Sequence, residues 1–224
     1  MIDVNKNKQE FIDLIKTNIK REGVEALLAK LEKSDFYTAP ASTKYHLAVE
    51  GGLCQHCLNV YKRLKTLIKM EYPTEVPDES GEMRQVESNC PYTDESIAIV
   101  ALLHDLSKMN FYEKYVMNKK VYSENGTKRD EMGKFDWVAE QAFKVKDAKD
   151  RFLFGSHSIN SFYMVGALLP LQYEEELAIM YHMGGKDNSY DTIENVTPVF
   201  NKSPLATLLH MADMMATYLD ERNE

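Results

Sequence analysis

The most apolar stretch of the chain, Ile97 to Leu103, runs directly into the polar pair His104-Asp105. It reads as an apolar helix that carries through to Lys108, with Asp94 or Ser96 capping its start. Five of the six histidines sit inside or beside strongly apolar helical segments of this kind. A single imidazole there is ordinarily a core or boundary residue, and a bare His-Asp dipeptide is a weak motif. The set says more than its members. His56 follows Gly51-Gly52-Leu53-Cys54-Gln55, His157 follows Phe154-Gly155-Ser156, His182 precedes Met183-Gly184-Gly185, and Asp213 closes His210-Met211-Ala212-Asp213. Each falls on a different expected helix or helix end, which is how metal centres are built inside helical bundles. Imidazole with carboxylate suits Fe, Mn, Ni, Zn or Mg, whereas thiolate would favour softer ions.

The remaining periodicity is helical over most of the chain. Residues 9–20 place Phe11, Ile12, Leu14, Ile15 and Ile19 on one face, and 23–33 repeat the pattern through Val24, Leu27, Leu28 and Leu31. A helix is expected from just after Gly51-Gly52 to about Met70, with others at 138–147, 157–169, 173–183 and 204–219. Residues 72–93, with three prolines and many acids, read as a loop. Asn125-Gly126 signals a type I′ turn, and the flanking Val121-Tyr122 and Phe135 with Trp137 suggest a small β-hairpin around 117–138. The expectation is an all-α bundle over 1–224 as one domain. Residues 1–36 form an N-terminal helical pair, 46–220 a metal-binding core, and the hairpin an insertion.

Charge narrows the partners. Lys+Arg total 27 against 35 Asp+Glu, a net charge of -8, which disfavours a long nucleic-acid track. A small phosphate-bearing substrate remains compatible, because metal ions and lysine can reverse the sign inside a pocket. Three cysteines cannot all pair, the N-terminal residues lack an apolar signal core, and no run reaches the ~18 apolar residues of a membrane span. These features point to a cytoplasmic protein away from membranes. Cys54 and Cys57 flank His56, but with no second cysteine pair they read as small packing residues.

The order His56, His104-Asp105, His157, His182, Asp213 resembles the HD-domain metal-dependent phosphohydrolase superfamily, in its six-ligand, dinuclear branch. Ala101 to Lys108 is similar to that family's Leu-Leu-His-Asp-Ile-Gly-Lys, with Leu106-Ser107 in place of Ile-Gly. Thr38-Ala39-Pro40-Ala41, Tyr45-His46 and Gly51-Gly52-Leu53 resemble the opening segment of the bacterial 3′-5′ exoribonuclease branch, although no separate five-stranded RNA-binding domain accompanies them. The resemblance implies that His56, His104, Asp105 and Asp213 hold one divalent ion. It implies also that Asp105 bridges to a second ion, held with His157 and His182. Two such ions share a water and lower its pKa. The implied activity is hydrolysis of a phosphomonoester or phosphodiester, nucleotide-like or a short oligonucleotide, with Asp105 and Lys108 as catalytic residues. Lys108, Lys186 and His46 are the candidate substrate contacts, and His210 a structural neighbour. Two alternatives share the ligand set: a di-iron oxygenase of the same superfamily, and a non-catalytic scaffold. Specificity is expected to come from the 72–93 loop and the 111–138 region.

Overall fold

A computed structural model describes residues 2–152, 155–185 and 190–222. Among them are eight α-helices: α1 (Val4–Asn18), α2 (Val24–Glu32), α3 (Gly52–Glu71), α4 (Asp94–Leu103), α5 (His157–Gly166), α6 (Tyr173–Tyr181), α7 (Tyr190–Lys202) and α8 (Pro204–Met215). Five strands accompany them: β1 (Glu75–Pro77), β2 (Met83–Gln85), β3 (Tyr112–Tyr122), β4 (Lys128–Asp130) and β5 (Gly133–Val145). The protein is helix-rich, but its strand content exceeds that of an all-α bundle carrying one small hairpin.

Helix α4 organises the bundle. Every residue from Ser96 to Leu103 is buried, so the helix is apolar on all sides and has no solvent face to present. Thr93 caps it, its side chain accepting from the Ser96 backbone N–H, one position ahead of the expected cap. Helices α1, α3 and α6 pack around it, and α8 lies against both α3 and α6. The α1–α2 pair and the turn after α2 close one side, where the rings of Phe11, Phe36 and Tyr37 meet 5.0–6.0 Å apart. Instead of continuing to Lys108, α4 stops at Leu103 and is followed by a 3₁₀ turn at Leu106–Lys108.

The segment expected as a helix over 138–147 is instead the second half of β5. It pairs antiparallel with all eleven residues of β3, Tyr112 opposite Val145 and Tyr122 opposite Phe135, and β4 lies on the other side of β5. The alternation Phe135, Trp137, Ala139, Gln141, Phe143 puts two phenylalanines on the covered face. The eleven-residue backbone ladder with β3 overrides the helical propensity of Ala, Glu, Gln and Lys in this stretch, and the exposed cross-strand pairs Glu113–Lys144 and Lys119–Glu140 accompany it. Asn125 and Gly126 lack the positive φ angles of a type I′ turn; the Gly126 N–H donates to the Ser123 carbonyl as the last residue of its turn. The 72–93 region contains the short β1–β2 hairpin, turned at Asp78–Gly81. Helix α7 had no sequence expectation.

The segment 38–52 folds over the start of α3 and delivers His46 to it. Ser42 Oγ donates to the His46 carbonyl, and the Ala41 N–H donates to the Leu47 carbonyl, with Leu47 at φ +43°. Gly51, at φ +79°, leads into the helix, and a β-carbon at Gly52 would stand 2.1 Å from the Leu47 oxygen. Only glycine lets the two backbones approach this closely. Gly52→Ala is expected to destabilise the fold by about 1–3 kcal/mol, measured by urea unfolding. An unchanged midpoint and slope would contradict this packing.

Candidate metal centre

Two helices end at a histidine in the same way. His104 caps α4 and donates Nδ1–H to the Ala101 carbonyl at 2.9 Å; His182 caps α6 and donates Nδ1–H to the Ile179 carbonyl at 2.7 Å. Each bond uses a carbonyl that the last helical turn leaves without an N–H partner. A carbonyl can only accept, so the proton is fixed on Nδ1 and the Nε2 lone pair of each ring points inward. The rings are 4.9 Å apart, and the negative ends of both helix dipoles face the same point.

That point is the carboxylate of Asp105, 1% exposed. His157, the first residue of α5, places Nε2 2.5 Å from Asp105 Oδ1, with Nδ1 2.8 Å from Ser107 Oγ. His182 Nε2 lies 3.6 Å from the same Oδ1. His56 Nε2 and His104 Nε2 each lie 3.5 Å from Oδ2, and they are 3.3 Å from each other. His56 Nε2 is also 3.3 Å from Asp213 Oδ1 on α8. Ligand atoms of His56, His104 and Asp105, of His104, His182 and Asp213, and of Asp105, His157 and His182 converge closely enough for each trio to hold a metal ion. All six residues expected from the sequence therefore meet at one buried position.

Two features of this cluster fit a cation. His182 Nε2 is buried, carries a lone pair and makes no hydrogen bond, while facing a carboxylate oxygen that also only accepts. Two acceptors held face to face repel unless something positive lies between them. The charges are also unbalanced towards anion. Burial opposes ionisation of Asp105, but Lys108, His104 and His157 hold it well below the carboxylate range. Burial likewise opposes the Asp213 charge, and His56 overcomes it. For Glu221, too, the His56 hydrogen bond outweighs burial. Against these three anions stand two cations. Lys108 is raised above its ordinary value by Asp105 despite its burial. His56 is opposed by burial but lifted to about 10 by Asp213 and Glu221.

Glu221 has no counterpart in the sequence expectation. It sits in the charged run Asp220-Glu221-Arg222, which reads as a solvated surface. A π-helical turn, Ala216–Asp220, follows α8, and the Glu221 N–H donates to the Ala216 carbonyl five residues back. The turn carries the Glu221 side chain inward, where both its oxygens lie 3.0–3.1 Å from His56 Nδ1.

A cavity of about 810 Å³ opens above the cluster, and Asp105, His157 and Asp213 reach its floor. Lys108 lines it with Nζ 2.7 Å from Asp105 Oδ2, although a 3₁₀ turn and not a continuous helix brings it there. His46 lines it too, its ring 4.9 Å from that of His56 and its buried Nε2 without a hydrogen bond. His210 joins the wall and donates Nδ1–H to the His182 carbonyl. Lys186 lies outside the described residues. Beyond Asp105, Lys108, His157 and Met183, the lining among the described residues comes from the 44–46 segment and from α8 with the turn and residues that follow it, and none comes from 72–93 or 111–138, where specificity was expected. Cys54 and Cys57 are free and buried and belong to none of the converging trios, in line with packing roles.

Among the described residues no helix is long and apolar enough to cross a membrane. No family model, curated protein or solved structure matches the chain.

The cluster dictates how metal-free protein responds to pH. Burial lowers His46 to about 4, His104 to about 3, and His157 in the same direction, from an ordinary 6.5. Below about pH 6.5 the unfolded chain takes up protons that the fold refuses, so stability falls as pH falls. His56 acts oppositely: its contribution is complete below 6.5 and lost as pH rises towards 10. In the presence of a chelator, the unfolding temperature should peak near neutral pH and decline on both sides. A flat profile from pH 5 to 9 would contradict these assignments.

Proposed function

We propose that this chain is a metal-dependent phosphohydrolase that cleaves a phosphomonoester or phosphodiester of a small, nucleotide-like molecule. The observation that carries the reading is the convergence of four imidazole Nε2 atoms on one buried carboxylate beneath an open cavity. His56, His104, Asp105 and Asp213 would hold one ion, and Asp105, His157 and His182 a second. Asp105 suits the shared position because its two oxygens face different histidines, Oδ1 towards His157 and His182 and Oδ2 towards His56 and His104. When bound, divalent ions here would supply a nucleophilic hydroxide at neutral pH and offset charge on a phosphoryl group.

The chain's own residues supply binding and orientation. Lys108 projects a cation into the cavity beside Asp105, where it can pair with a phosphate oxygen. Lys44 and Arg222 at the wall add positive charge to an otherwise acidic protein, which suits an anionic ester. Met183 and Met214 supply apolar wall that limits water around the reacting group.

With Mn²⁺ added, purified protein should hydrolyse p-nitrophenyl phosphate or bis(p-nitrophenyl) phosphate. Asp105→Asn should abolish turnover, and Lys108→Ala should lower kcat/KM by about 10²–10³-fold, the scale of losing one well-placed charge. Absence of turnover across nucleotide mono- and diesters, or full activity in Asp105→Asn, would contradict the proposal. Oxygen uptake by iron-loaded protein without ester cleavage would favour the oxygenase alternative.

A further inference from the structure

The carboxylate that grips His56 is itself gripped. Asn59 Nδ2 donates to Glu221 Oε1, Gln55 Nε2 donates to Asn59 Oδ1, and Asn7 Nδ2 donates to Gln55 Oε1, each at 2.8 Å. Gln55 and Asn59 are one helical turn apart on α3, and Asn7 reaches them from α1, where it is 7% exposed. A primary amide can flip end for end, but a carboxylate only accepts. Glu221 therefore fixes the sense of the whole row: every NH₂ points towards Glu221 and every amide oxygen points back towards α1.

We infer that these three amides are a positioning device for the metal centre. They hold the Glu221 carboxylate on His56 Nδ1 and thereby make α1, which bears no ligand, a determinant of metal affinity. The inference rests on the reading of His56 as a ligand. A carboxylate behind a ligand histidine fixes its ring and raises its basicity towards the ion. Glu221 is 4% exposed, so its hydrogen bonds must come from protein, and Asn59 supplies one directly to Oε1. Bonds aligned in one direction polarise one another, so the far end of the row acts on the near end. A row that merely stitched α1 onto α3 would affect stability and leave metal affinity alone.

The test is Zn²⁺ affinity by competition with a chelator, on wild type, Glu221→Gln, Asn7→Leu and the double variant, each checked for folding by circular dichroism. Glu221→Gln should weaken binding by about 10–100-fold. Asn7→Leu, which keeps the volume and removes the donor, should weaken it by roughly 3–10-fold, the net worth of the one hydrogen bond that it removes from the row. In the Glu221→Gln background, Asn7→Leu should add less than about twofold, because the row no longer ends on a carboxylate. Gln55→Met, cutting the row at its middle, replaces Asn7→Leu in the same cycle if that variant does not fold. Unchanged affinity in folded Asn7→Leu, or effects that simply multiply, would overturn the relay while leaving the metal centre standing. Wild type that binds no Zn²⁺ would overturn both.

Discussion

A negative charge buried at the centre of a helical protein is the constraint on which the rest depends. The Asp105 carboxylate is almost without solvent and has four imidazoles and one ammonium around it. A charge in that position is costly unless its surroundings answer it. Here the answer is distributed over α3, α4, α5, α6 and the 3₁₀ turn that carries Lys108. Those elements must therefore meet at one point, and the central placement of α4 makes the meeting possible.

The helix ends perform the alignment. In α4 and α6 a terminal histidine satisfies a carbonyl of its own helix and, by the same bond, commits its other nitrogen to the interior. Local capping and site construction are thus one interaction. At α8 the solution differs. The helix supplies Asp213 from its regular part, and a π-helical turn then adds the residue that carries Glu221 back towards His56. The ion pair of Arg63 with Asp220 anchors that turn on α3.

Much of this was legible in the sequence because it rests on residue type and helical period. His56, His104, Asp105, His157, His182 and Asp213 stand at apolar segments or their ends, and the fold gathers all six. The apolar run at 97–103 and the glycines at 51–52 marked elements that the structure contains. Three things could not be read. Residues 138–145 have the composition of a solvent-facing helix, and only pairing with β3 makes them a strand. Glu221 looks like surface charge, because a π-helical turn has no sequence signature comparable to a cap. The row from Asn7 to Glu221 joins residues more than two hundred positions apart, and its amides look like ordinary polar faces until α1 is laid on α3.

The central claim is that the cluster around Asp105 is built for metal, and metal content per chain tests it most directly. Elemental analysis of wild type and Asp105→Ala, each reconstituted with divalent ions and freed of excess, should find about two ions per wild-type chain, the stoichiometry of a carboxylate-bridged pair, and almost none in the variant. Folded wild type that retains no metal, or a variant that retains as much, would contradict the account.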